Sequence, residues 1–168
     1  MKIWITWSHW VWKTTLLNEL KKEYLNFWYI EENAREVIKQ LWRPQEMNKK
    51  DRGVFQYIIM MSQIIKEKEQ LNFISDRTVF DILAYSKNLY LYDKIKNKFL
   101  ENKNNYDIVF YIPIEFKLEN DWIRFEEKEY QKQVDRKILK LLKKYNIRYI
   151  TITWNIDERL EQIKKSLK

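Results

Sequence analysis

From Lys2 to Thr6 apolar and polar positions alternate, the period of a strand with one covered face. Helical spacing takes over at Lys13 and lasts to Leu25, with Leu16, Leu17, Leu20 and Tyr24 on one side. Trp28-Tyr29-Ile30 predicts a short second strand leading into Glu31-Glu32. A helix is expected from Ala34 to Leu41, stopped ahead of Arg43-Pro44 because proline disfavours helical backbone in the residue before it. A longer helix should run from about Lys50 to Gln70, turning Phe55, Ile58, Ile59, Met61 (or Ser62) and Ile65 inward. Leu71 to Ser75 reads as a third strand ending at Asp76-Arg77. Val79 to Lys87 and Tyr92 to Leu100 carry helical spacing. Asp107 to Ile112 is the most continuous strand pattern, ended by Pro113. Tyr130, Val134, Ile138, Leu141 and Tyr145 mark one face of a long helix. Arg148 to Thr153 is the last strand and Ile156 to Leu167 the last helix. Asp157 and Glu158 in its first turn, and Lys164, Lys165 and Lys168 at its end, suit the helix dipole.

Strands alternating with helices imply βαβ units and a sheet covered on both faces. The expected fold is α/β: one domain over residues 1–168, three layers, with a mostly parallel five-stranded sheet.

Composition narrows the function classes. With 168 residues, 45% hydrophobic and 33% charged, the chain fits a globular domain. No apolar run approaches the roughly 20 residues that span a bilayer, and Met1-Lys2-Ile3 leads straight into a strand without a signal-peptide layout. The absence of cysteine removes disulfides and thiolate zinc sites, and a single histidine removes histidine-rich metal sites. A reducing cytoplasm is the expected location. The net charge of +8 points to polyanionic partners. Lysine and glutamate are interleaved, however (Glu67-Lys68-Glu69, Glu126-Glu127-Lys128-Glu129), and most aromatics fall on core-periodic positions. A nucleic-acid binder is therefore the least favoured reading.

In open parallel sheets, ligands gather at the C-terminal ends of strands. The first such turn reads Trp7-Ser8-His9-Trp10-Val11-Trp12-Lys13-Thr14-Thr15. With glycine in place of the three tryptophans it is a Walker A loop in its strand–loop–helix setting. Lys13 would neutralise the β- and γ-phosphates of ATP, Thr14 would hold Mg²⁺ through its hydroxyl, and the helix N-terminus would receive the anion. Asp76, ending the third strand, suits a catalytic base or a metal partner, and Arg77 stands beside it. A helix N-cap and a surface ion pair would also account for that dipeptide.

On these residues the chain resembles the P-loop kinases, specifically the small AAA-type ATPase/kinase group that includes nicotinamide riboside kinase domains. Residues 31–37, Glu31-Glu32-Asn33-Ala34-Arg35-Glu36-Val37, look like that group's acidic motif after the second strand. Residues 74–85, beginning Ile74-Ser75-Asp76-Arg77, look like its Asp-Arg motif. Asn120-Asp121-Trp122-Ile123-Arg124 resembles the start of a helical lid, here about 115–130. Thr153-Trp154-Asn155, with Arg159, resembles its adenine-side loop. The resemblance implies ATP and Mg²⁺ as cofactors and a small-molecule phosphate acceptor, such as a nucleoside or nucleotide. Residues 7–15, with Asn155 and Arg159, would bind the nucleotide. Glu32, Arg35, Asp76 and Arg124 would meet the acceptor, with Arg124 and Arg136 flanking the lid. Thr14 and Asp76 would hold the metal. An NTPase coupling hydrolysis of ATP or GTP to a partner is the alternative use of the same site.

The tryptophans depart from that pattern. The chain has one glycine and eight tryptophans, whereas a soluble domain averages about 7% glycine. Trp7, Trp10, Trp12, Trp28, Trp42, Trp122 and Trp154 all fall where a turn or cap glycine is expected. Four indoles within nine residues, Trp4 included, are too many for one core face. Gly53 sits inside an apolar helical stretch, where an aromatic would suit better. The pattern is that of glycine and tryptophan exchanged throughout the chain. Indoles at 7, 10 and 12 would occupy the volume of the phosphates, so weak or absent nucleotide binding is expected of the chain with these residues.

Overall fold

The computed structural model describes residues 1–7, 13–31, 37, 47–114 and 125–167. The elements in order are β1 (Lys2–Trp7), α1 (Lys13–Glu23), β2 (Trp28–Ile30), α2 (Lys49–Glu69), β3 (Phe73–Asp76), α3 (Val79–Ser86), α4 (Tyr92–Asn102), β4 (Ile108–Ile112), α5 (Phe125–Lys144), β5 (Ile150–Thr151) and α6 (Ile156–Leu167). The helix expected from Ala34 to Leu41 lies outside the described residues except for Val37.

All five strands pair in parallel, in the order β2-β3-β1-β4-β5. The chain leaves β1 for β2 and β3 at one edge, then crosses to the other for β4 and β5. The order thus reverses at β1, and in such sheets the ligand crevice opens at the strands' carboxyl ends there.

Two apolar layers sandwich the sheet. On one face Ile3, Ile5, Ile74, Phe110 and Ile112 pack with Leu16, Leu17 and Leu20 of α1 and Leu160 and Ile163 of α6. A Glu23–Lys164 ion pair (2.8 Å) ties those two helices together. On the other face Trp4 and Val109 meet α2, α3, α4 and α5 through Phe55, Phe80, Phe99 and Val134. Two of the helices on that face start where short polar side chains cap them. Asn48 caps α2 and Thr78 caps α3, each in a reciprocal box with the aspartate three residues on.

Three expectations change. The inward stripe of α2 is Phe55, Ile59, Met60, Gln63, Ile64 and Glu67, whereas Ile65 is exposed. Hydrophobicity alone turns Gln63 and Glu67 outward, but both are buried because their polar atoms are hydrogen-bonded to each other and to neighbours. Gly53 is not a site for an aromatic. A Cβ there would overlap the Tyr90 carbonyl and lie 2.9 Å from the Tyr90 Cα, so only glycine lets α2 approach the segment before α4. Trp4 is a core residue, fully buried.

Candidate active site

The register sets the geometry. Ile5 pairs with Asp76, so Asp76 ends β3 beside the last turn of β1, two residues before Trp7. Lys13 and Thr14 are the first two residues of α1, and Thr15 in the same turn is exposed. A strand ending at Trp7 and a helix starting at Lys13 therefore flank the expected phosphate loop, with Asp76 on the strand next to β1. Ser8, His9, Trp10, Val11 and Trp12 lie outside the described residues, as do Glu32, Arg35 and Arg124 and the first ten residues of the expected lid.

The Asp76 side chain is buried, 4% exposed. Arg77 follows with φ of 104° and lays its guanidinium over the Tyr85 ring, 5.0 Å from the centroid. Tyr85 in turn stacks at a tilt on Tyr130 of α5 (6.1 Å). Burial raises the Tyr130 pKa, against the opposing charges of Arg52 and Arg77. Arg77 thus belongs to a cationic, aromatic cluster shared by α2, α3 and α5.

Below this corner sits Asp81, which the sequence reading left without a role. Its carboxylate is fully buried and accepts from the Trp4 indole (3.0 Å), the Thr6 hydroxyl (2.9 Å) and the Thr78 amide (2.8 Å) and hydroxyl (3.2 Å). Burial pushes its pKa up, while Arg77 and the bonds from Thr6 and Thr78 pull it down. The signal was readable as Thr-x-x-Asp, a capping box. What the sequence hides is that β1 shares the same carboxylate. The N-cap considered for Asp76 and Arg77 is formed instead by Thr78 with Asp81, and Asp76 and Arg77 precede it.

At the far side, Asn155 and Glu158 bond reciprocally, side chain to backbone (3.0 and 3.3 Å), starting α6. Asn155 is exposed, while Arg159 is buried, 1% exposed, one turn into the helix that packs on α1. Trp154 precedes them with φ of 78° and is 67% exposed. This is the left-handed turn for which glycine is expected. Arg136 faces solvent and forms a long ion pair with Glu129 (3.9 Å).

Among the described residues no cluster of three or more His, Asp or Glu side chains could hold a metal by itself, and no helix is long and apolar enough to cross a membrane.

The structure is similar to solved kinases over its whole length. A deoxyadenosine kinase from M. mycoides, determined with dCMP and dCDP, superposes with a TM-score of 0.64 at 18% identity, covering 99% of this chain and 98% of that one. The same enzyme with bound dATP gives 0.63 at 20% identity, covering 99% of both. NadR in complex with NR gives 0.74 at 15% identity; 98% of this chain corresponds to 49% of that longer protein. No curated protein sequence matches the chain. A family profile, that of the AAA domain, matches residues 11–159. With that match and the parallel 2-3-1-4-5 sheet, the chain belongs to the AAA domain family and carries its P-loop kinase fold.

Proposed function

We propose that the chain is the scaffold of an ATP-dependent phosphotransferase acting on a nucleoside, nucleotide or similar small metabolite in the cytoplasm. The observation that carries this is the pairing of Ile5 with Asp76. It sets a buried carboxylate at the end of the strand next to the β1–α1 loop, where a transferring phosphoryl group would lie.

In this reading Lys13 neutralises phosphate charge and the α1 N-terminus receives the anion. Asp76 accepts the proton of the acceptor hydroxyl or orients a metal-bound water. Arg77 and Arg124 stabilise charge on the phosphoryl oxygens. Ser8 to Trp12, Asn155 and Arg159 border the nucleotide, and Glu32 and Arg35 the acceptor. Thr14 and Asp76 offer the hard oxygen donors that Mg²⁺ takes, too few for a protein-only cage and therefore suited to an ion shared with substrate phosphates. Bound there, the ion would neutralise charge on the β- and γ-oxygens. Indoles at 7, 10 and 12 impair this site, and glycines there restore it.

The experiment is ADP release from ATP·Mg²⁺ with and without a candidate acceptor, a deoxynucleoside or nicotinamide riboside, using the chain with glycine at 7, 10 and 12. Release that depends on the acceptor supports the phosphotransferase. Equal release without it supports a hydrolysing NTPase instead.

A further inference from the structure

The corner between β3 and α3 holds a conformation that L-residues rarely adopt. Arg77 has φ of 104°, in the half of backbone space where glycine alone moves freely. Such a residue persists only where its surroundings over-determine it. Here the surroundings are polar and buried. The Arg77 carbonyl accepts from Ser75 Oγ (2.5 Å) and from Gln63 Nε2 (3.1 Å). The same Gln63 nitrogen lies 2.9 Å from Ser75 Oγ and 2.8 Å from Glu67 Oε1. Glu67 is anchored in turn by the Tyr106 hydroxyl (2.8 and 3.0 Å) and by Asn105 Nδ2 (3.3 Å). Gln63, Ser75 and Glu67 are all buried.

A buried amide is costly unless its hydrogen bonds are made. An aliphatic side chain would suit that turn of α2 better on hydrophobic grounds. Gln63 instead donates to the carbonyl of the residue after Asp76 and to Ser75 Oγ, which donates to that same carbonyl. The next residue, Thr78, is held separately through Asp81. Two clamps thus act on successive residues, one from α2 and one from within α3 and β1.

We propose that Gln63 and Ser75 are positioning residues for Asp76. By holding the Arg77 carbonyl they keep the corner in its left-handed conformation, which fixes how the Asp76 carboxylate leaves the end of β3. The inference rests on the reading of Asp76 as base or metal partner given above.

A cycle of variants tests it. Ser75→Ala and Gln63→Leu are each made alone, with Arg77→Gly and with Arg77→Ala, and unfolding is followed in denaturant. Ser75→Ala alone shifts the unfolding constant roughly five- to tenfold, the worth of one buried hydrogen bond. With Arg77→Gly the shift shrinks to about twofold, because glycine adopts this φ unaided. With Arg77→Ala, which removes the same side chain but keeps the Cβ, the full shift remains. Equal shifts in all three backgrounds overturn the proposal. Kinetics with ATP·Mg²⁺ and deoxyadenosine as probe acceptor supply the second arm, with glycine at 7, 10 and 12 in every chain compared. Ser75→Ala should lower kcat roughly tenfold at unchanged KM for ATP, and Ser75→Thr should restore most of it. An unchanged kcat in folded Ser75→Ala also overturns the positioning role. If the parent carrying only those glycines releases ADP equally with and without deoxyadenosine and nicotinamide riboside, the phosphotransferase reading fails, and the unfolding cycle alone decides whether the clamp exists.

Discussion

The indole N–H of Trp4 donates to Oδ2 of Asp81 at 3.0 Å, joining the central strand to the helix that covers it. The Trp4 ring lies nearly parallel to Phe80 at 4.8 Å and tilts against Tyr106 at 5.6 Å. It is therefore a different kind of residue from the exposed Trp28 and Trp154. Trp4→Gly should cost about 3–5 kcal/mol, as large-to-small changes in packed cores do. Trp4→Phe keeps most of the apolar volume but leaves Asp81 short of one donor, and should cost about 1–3 kcal/mol. Urea unfolding measures both, and a neutral Trp4→Gly would remove the indole from the account of the core.

Glu67 makes stability depend on pH. Burial raises its pKa from 4.5 to about 7, against the lowering effects of Gln63, Tyr106 and Asn105 and of the nearby Lys2 charge. The folded chain thus holds a proton that the unfolded chain releases between those values. Stability is fully present below about 4.5 and declines as pH rises through about 7, by on the order of 3 kcal/mol. Asp81 and Asp135, whose pKa values burial also raises, act in the same direction. Glu67→Gln should flatten the profile of unfolding free energy between pH 5 and 7, roughly the window of the shift. An unaltered slope would assign the titration elsewhere.

Much of this was legible in the sequence, and the exceptions have physical causes. Five strands and their parallel alternation follow from periodicity, most plainly at β4, where burial along nearly the whole strand leaves a continuous apolar run. The sequence pattern runs the last strand from Arg148 to Thr153, yet only Ile150 and Thr151 pair. As an edge strand it has one partner, and nothing in its side chains marks where pairing stops. Asp76 and the start of α1 were legible because a motif fixes them relative to strand ends. Gln63 was not, since a polar residue on a helix reads as solvent-facing until its partners are known. Asp81 showed its local cap but not its bonds to Trp4 and Thr6, which are some 75 residues away in sequence.

Position 154 offers a direct comparison with position 53. Trp154 has φ of 78° and is largely exposed, so Trp154→Gly relieves left-handed strain at the loss of little packing. It should stabilise the fold by about 1 kcal/mol. Gly53→Ala should do the reverse and cost more than about 3 kcal/mol, because the new methyl meets backbone, not a flexible side chain. Thermal unfolding of the two variants reads both signs. A destabilised Trp154→Gly would mean that its indole has a packing role.

These two positions also recast the exchange of glycine and tryptophan. It cannot be reciprocal, since Gly53 has no room for a side chain. It also does not extend to Trp4, which the core holds. What remains is one-way: glycine expected at 7, 10, 12, 28, 42, 122 and 154. One mechanism yields that pattern without touching an existing glycine, namely a UGA codon, which some genetic codes read as tryptophan and others as glycine. The gene should then carry UGA at those seven positions, UGG at Trp4 and an ordinary glycine codon at 53. Protein isolated from its own source should be lighter than the sequence with eight tryptophans by seven tryptophan-to-glycine differences. Side by side, the chain with glycine at 7, 10 and 12 should bind ATP·Mg²⁺ with at least about a hundredfold advantage, because backbone N–H groups can then reach the phosphates. An intact mass equal to that of the tryptophan sequence would end the decoding account. Tight ATP binding by the tryptophan chain would further show that indoles can line this loop without blocking it.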